Sequence, residues 1–212
     1  MLKKRTENVL QLIRKNQIPF LFVQKKSLDR IIRNHQGFVA WVSSKEWVSL
    51  DSILSASPNP FLVLLDEISD PQNLGAIIRS AEGAGVNGII VTERRTAGLS
   101  EVVRLVSAGA LEHVRVARVK NLSQAIDDCK KNGIWIIGAE GNAEEPWYAF
   151  DYKMPVGIVF GSEGKGLRPL VRKKCDKILS IPLHGKVSSL NVSAAASIFL
   201  YEVVRQRMMI LE

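Results

Sequence analysis

Between Phe61 and Ile181 short apolar runs recur, each followed by a polar turn, and this recurrence restricts the fold more than any other feature of the chain. The runs are FLVLL (61–65), GIIV (88–91), HVRVA (113–117), IWIIG (134–138), VGIVF (156–160) and KILSI (177–181). Near-continuous apolarity, rather than alternation, is the pattern of strands covered on both faces, as in parallel sheets. The stretches 73–84, 101–108, 122–131 and 191–208 carry helical spacing. Strand and helix therefore alternate, which predicts an α/β fold: an open, mostly parallel sheet with helices on both faces.

The chain before Phe61 reads differently. A helix over 6–15, a strand-like FLFV at 20–23, a helix over 27–33 and a strand-like FVAWV at 38–42 form a small α/β region too short for a core of its own. The segment 43–60 ends in two prolines, Pro58 and Pro60, within a polar cluster, so it reads as a linker with one helical turn. The expected division is 1–42, a 43–58 linker, and 59–212.

With 29 Lys and Arg against 21 Asp and Glu, the net charge is +8, which favours a polyanionic partner such as nucleic acid. Cys129 and Cys175 make no Cys-x-x-Cys pair, and His35, His113 and His184 lack ligand spacing. No metal is expected, and a reducing cytoplasm fits. No apolar run approaches the roughly 18 residues of a membrane span, so no membrane partner is expected. The basic opening reads as an amphipathic helix, with Val9, Leu10, Leu12 and Ile13 on one face.

Ligands of open α/β sheets bind beyond the carboxyl ends of the strands, which directs attention to three loops. The first, Asp66 to Gly75, contains Asp70-Pro71, a natural helix start. Its bland reading is a well-capped helix. The second, Gly161-Ser162-Glu163-Gly164-Lys165-Gly166-Leu167, has three glycines that let backbone amides approach a ligand. It is not a Walker A loop, because Val159 and Gly166 stand where glycine and Ser or Thr are required. A nucleoside-sized ligand is the better expectation, and a solvent-exposed glycine turn the bland one. The third, 181–193, leads into a helix rich in small residues, with Ser189 as a candidate N-cap. Gly83, Gly85 and Gly88 fit G-x-G-x-x-G but lie between helix and strand, the reverse of a dinucleotide site.

Asn73, Gly75 and Arg79 (N-x-G-x-x-x-R), then 161–167 (G-S-E-G-x-G-L), then Ile181-Pro182 and 188–193 (S-S-L-N-V-S) resemble the three motifs of the SpoU (TrmH) branch of the SPOUT methyltransferases in order, spacing and strand context. The resemblance spans about 59–209. His35-Gln36-Gly37-Phe38-Val39-Ala40 is similar to the end of the small RNA-binding domain in that branch's bacterial 23S ribosomal RNA guanosine-2′-O-methyltransferases. The resemblance implies a complete domain of that kind, and 1–42 are read as part of one.

Several expectations follow from the resemblance alone. It implies methylation of a ribose 2′-hydroxyl in RNA with S-adenosyl-L-methionine as donor, favouring ribosomal RNA, and a cytoplasmic homodimer joined through the C-terminal region. It also implies a trefoil knot there, which general rules of chain connection would not propose. Cofactor contacts are carried to Gly161, Ile181, Leu183, Ser188, Leu190 and the loop Ala139, Glu140, Gly141. The catalytic role goes to Arg79, with Asn73, Glu163, Ser189 and Asn191 orienting it and the ribose. An ordinary guanidinium keeps its proton, so Arg79 is expected to grip phosphate and stabilise a developing alkoxide, the alternative being a base. The competing readings are a transfer RNA 2′-O-methyltransferase, a non-catalytic RNA-binding protein of the same fold, and a nucleotide-dependent oxidoreductase, which the misplaced glycines disfavour.

Overall fold

A computed structural model describes residues 2–33 and 35–209, which fall into two compact units, 1–43 and 44–212. In the first, α1 (Leu2–Lys15) and α2 (Lys25–Asp29) are the regular elements. The amphipathic helix is present, with Val9, Leu10 and Ile13 half-buried and Leu12 exposed. The expected strands at 20–23 and 38–42 are not formed, so the α/β expectation for this region is corrected to helices and extended chain. A strand needs a neighbour to satisfy its backbone, and these segments make no ladder among the described residues. Leu21 is 88% and Trp41 81% exposed, which is incompatible with a covered strand. His35 fastens the following turn: its Nδ1 accepts from the Gly37 amide at 2.9 Å, and its Nε2 lies 3.1 Å from Asp29 Oδ1.

In the second unit, the sheet consists of β1 (Phe61–Asp66), β2 (Gly88–Thr92), β3 (Val116–Val119), β4 (Trp135–Ala139), β5 (Glu145–Pro146), β6 (Val156–Gly161) and β7 (Lys177–Ser180). Their order is β3-β2-β1-β6-β4-β7-β5, and every pairing is parallel. All carboxyl ends consequently lie along one edge.

The period of two in strand side chains divides the apolar runs between two cores. Phe61, Val63, Leu65, Ile89, Val91, Ile158 and Phe160 face one side, with α4 (Pro71–Gly83), α5 (Glu101–Val106) and α8 (Val192–Met208). Leu62, Leu64, Ile90, Ile136 and Val159 face the other, with α3 (Leu50–Leu54), α6 (Leu122–Lys131) and α7 (Pro169–Lys174). No described helix is long and apolar enough to cross a membrane.

Three local differences from the sequence reading have physical causes. The third strand begins at Val116 rather than His113, because Ala110–Glu112 form a 3-10 turn after the left-handed Gly109. The stretch 43–58 carries structure: the Val48 amide donates to Val116 O at 3.0 Å and α3 inserts Ile53 beneath β2. α7 and the two-residue β5 were not anticipated, being too short to show a period.

The surroundings of β7 matter for the site. Leu179 pairs with Ala139 on one side and Glu145 on the other. The continuous segment from β4 to β5 therefore flanks β7 on both edges, and residues 140–144 bridge beyond its end. The chain leaving Ser180 has to pass that bridge.

Gly88 lies against Ile53, where an added Cβ would overlap the isoleucine side chain. Gly88→Ala should destabilise the unit by about 1–3 kcal/mol through overpacking. Combined with Ile53→Ala it should cost less than the sum of the single changes, because the cavity and the added methyl meet. Denaturant midpoints of the four proteins in this cycle test it, and strict additivity would contradict the packing.

Candidate active site

Four loops meet beyond the carboxyl edge of β1, β6, β4 and β7. After β1, Asp70 caps α4 by accepting from the amides of Gln72 at 3.1 Å and Asn73 at 3.3 Å, leaving Asn73 buried in the first turn. After β6, the chain folds back on itself. Gly164 and Gly166 have φ of +76° and +66°, the Gly166 amide donates to Ser162 O at 2.9 Å, and any Cβ on Gly161 would collide with the Gly166 backbone. Side chains at these positions would open the loop, which explains the glycines better than ligand approach alone.

The glycine loop is tied to β1 by Asp66. This carboxylate, 1% exposed, accepts from the Arg168 amide at 2.9 Å and from its Nε at 2.7 Å, with Nη2 at 2.6 Å. Arg168 Nη1 also lies 3.2 Å from Glu67. The sequence reading missed this clamp. Its signal was an ionisable residue closing an otherwise apolar run, since an acid is rarely fully buried without a partner. After β4, the Glu140 amide donates to Leu179 O at 3.0 Å and its carboxylate accepts from Arg172 Nε at 2.7 Å, a second partner not anticipated.

The fourth loop, 181–191, ends in the N-cap of α8. That cap is Asn191, not Ser189: Asn191 Oδ1 accepts from the amides of Ser193 at 2.9 Å and Ala194 at 3.4 Å, and from Ser193 Oγ at 2.6 Å. Its Nδ2 donates to Asn73 Oδ1 at 2.8 Å and to Glu163 Oε1 at 2.8 Å. One carboxamide thus joins α4, the glycine loop and α8, and both of its N–H groups are engaged.

The loops after β4, β6 and β7 enclose a cavity of about 630 Å³, within the roughly 300–1,000 Å³ range of small-molecule sites. Its lining includes Ala139, Glu140, Gly141, Gly161, Ile181, Leu183, Ser188 and Leu190, together with Glu163, Ser189 and Asn191. Asn73 is outside the lining but bonded to it through Asn191. Arg79 is exposed on α4 and does not line the cavity. It stands six residues beyond Asn73, about 9 Å along the helix and about 120° around it. Sequence reasoning missed Phe160 and Phe199, packed edge to face with centroids 5.8 Å apart against the cavity, and Asn142 and Lys165 on its wall.

The lining chemistry fits a nucleoside joined to an amino acid through a sulfonium. Ala139, Phe160, Ile181, Leu183, Leu190 and Phe199 offer an apolar bed for a flat base, and the Glu163 carboxylate offsets positive charge. The thiols do not enter this chemistry. Burial pushes Cys129 and Cys175 up to about 12, with neighbouring carboxylates, Asp128 and Asp176 respectively, adding to the rise.

Comparison with known proteins places these features in a family. Residues 60–201 match the model of the SpoU rRNA Methylase family, and residues 2–48 match the RNA 2'-O ribose methyltransferase substrate binding model. The chain is 42% identical over 210 residues to YacO of Bacillus subtilis, named for the TrmH family of tRNA/rRNA methyltransferases, covering 97% of this chain and 84% of that one. It is 40% identical over 211 residues to the 23S rRNA (guanosine-2'-O-)-methyltransferase RlmB of Haemophilus influenzae, covering 97% and 86%. Among solved structures, the SpoU methyltransferase AviRb of Streptomyces viridochromogenes in complex with AdoMet superposes with a TM-score of 0.72 at 32% identity. That match covers 77% of this chain and 66% of AviRb, just under two thirds of its length.

Two outcomes follow from the geometry. Asn191→Asp retains the cap oxygen but loses both donors and sets a second carboxylate beside Glu163, so it should lower stability by about 1–3 kcal/mol, read as a shift in the unfolding midpoint. An unchanged midpoint would contradict the joint. Iodoacetamide at pH 8 should label both cysteines slowly until the chain is unfolded, where thiols titrate near about 8.5. Burial favours the protonated thiol, so the associated stability is present below that pH and is lost as pH rises toward about 12.

Proposed function

This chain belongs to the SpoU rRNA Methylase family, and from that membership we propose that it methylates a ribose 2′-hydroxyl in RNA, at a guanosine of 23S ribosomal RNA, with S-adenosyl-L-methionine as donor. One observation carries the reading: the loops after β4, β6 and β7 converge on a single cavity, with Asn191 tying its rim to Asn73 and Glu163. The family uses S-adenosyl-L-methionine, and the cavity lining fits it. The RlmB relatives support the choice of RNA and nucleotide.

When bound, the cofactor supplies an electrophilic methyl group on a sulfonium. The residues of this chain have to orient the ribose for in-line approach, exclude water and manage the proton of the 2′-hydroxyl. Ala139, Glu140, Gly141, Gly161, Ile181, Leu183, Ser188 and Leu190 form the bed. Glu163 and Asn73, held by Asn191, fix the rim, and Ser189 lies beside them to orient the sugar. Arg79, in solvent on α4, is suited to an RNA phosphate and to stabilising negative charge at the ribose oxygen, a role that does not require deprotonation.

Three further parts belong to this reading. The chain leaving β7 is threaded past the bridge 140–144 to make a trefoil knot. Two copies assemble in the cytoplasm through the knotted region, where Val187 and Leu190 present apolar surface. Residues 1–42 contribute to RNA recognition and 59–212 carry methyl transfer, in keeping with the substrate-binding match over 2–48.

Arg79→Ala should reduce methyl transfer by roughly 100-fold or more while calorimetric affinity for S-adenosyl-L-methionine stays unchanged. Retained activity would remove Arg79 from the mechanism. Absence of cofactor binding by the unaltered chain would remove the methyltransferase reading. Mapping 2′-O-methyl groups in RNA from cells lacking the protein should show loss at a 23S guanosine; loss in transfer RNA instead would overturn the substrate assignment.

A further inference from the structure

The carboxyl edge of the sheet continues past the cavity to β1, β2 and β3, and it carries cations there that the proposed chemistry does not use. At the end of β2, residues 92–97 form a braced turn. Thr92 Oγ1 donates to Arg94 O at 2.9 Å and lies 2.7 Å from Thr96 Oγ1, the Glu93 amide donates to Val119 O, and the Ala97 amide donates to Ile68 O, both at 2.9 Å. Arg95 is held at φ +59°, a left-handed conformation uncommon for a non-glycine residue. The surroundings therefore fix a turn whose two arginines stand in solvent.

Most carboxylates along this edge are already engaged. Asp66 is clamped by Arg168, Glu67 lies between Arg168 at 3.2 Å and Arg95 at 3.4 Å, and Asp70 caps α4. Glu93 is the remaining carboxylate of the turn, against Arg94, Arg95 and the exposed Lys120 at the end of β3. On the other side Lys165 stands on the cavity wall. Since β3, β2, β1 and β6 are neighbours, Lys120 and the cavity are three strand spacings apart, about 14 Å. Exposed cations spaced over that length, at Lys120, Arg94 and Lys165 with Glu93 among them, offer contacts for a nucleic-acid backbone that leads into the cavity.

We propose that the carboxyl edge of β3, β2 and β1 is the track on which the RNA strand lies as its target ribose enters the cavity, with Arg94 and Lys120 binding backbone phosphates. The inference rests on the RNA-methylating reading and adds the path of the strand. These contacts position the RNA without reading its sequence. They are separate from Arg79, on α4.

The test measures binding of the full chain to poly(U) over a salt series, for the unaltered protein, the double variant Arg94→Gln/Lys120→Gln, and Lys153→Gln at the opposite, amino edge of β6. Each phosphate contact on single strands contributes a slope of about −0.7 in log K against log salt, so the double variant should flatten the slope by about 1.4. Lys153→Gln should leave it unchanged. A double variant with the original slope overturns the track, and so does equal flattening by Lys153→Gln. If the unaltered chain fails to bind poly(U) at low salt, the RNA reading falls with it, whereas binding with an unaltered variant slope sinks the track alone.

Discussion

The Asn191 carboxamide uses its polar groups on three segments far apart in the chain. Its oxygen closes the first turn of α8, and its two N–H groups reach Asn73 on α4 and Glu163 in the glycine loop. The arrangement needs an acceptor and two N–H donors on one side chain: aspartate would keep the cap and lose the donors, and serine could not span both partners. The cavity is consequently defined by long-range bonds rather than by any single loop. Asp66 adds a second constraint by anchoring the start of α7 to β1, so the glycine loop is held at both ends.

The parallel sheet makes this convergence possible. Because each strand runs in the same direction, every chain segment leaving a strand emerges on one edge, and segments remote in sequence become neighbours there. The crowding is greatest at β7, where one stretch of chain flanks both sides and the outgoing loop has to pass its bridge. Arg94 and Lys120 lie exposed along the same edge where the cavity ends, so the proposed RNA track and the cofactor cavity would share one surface of this unit.

Much of this organisation was legible in the residues. The runs at 61–65, 88–91, 134–138, 156–160 and 177–181 became strands because burial on both faces demands continuous apolarity, and α6 spans 122–131 because its period, Asn121 cap and basic last turn agree. The partners of polar groups were not legible. Ser189 looked like a cap from local spacing, whereas the cap is Asn191, whose Nδ2 also donates to Asn73, more than a hundred residues away. FLFV and FVAWV satisfied strand propensity but found no ladder, because propensity describes fit to a neighbour and not the neighbour itself. The motif spacing brought Arg79 near Asn73 in sequence, yet helix geometry turns it out of the cavity and onto the surface.

Amide hydrogen exchange on addition of S-adenosyl-L-methionine measures whether the converging loops act as one binding surface. The account predicts that segments 139–142, 161–166 and 181–191 gain protection together and to the same saturation, while the sheet's amino edge is unaffected. Protection confined to one of these segments, or absent at saturating cofactor, would contradict it.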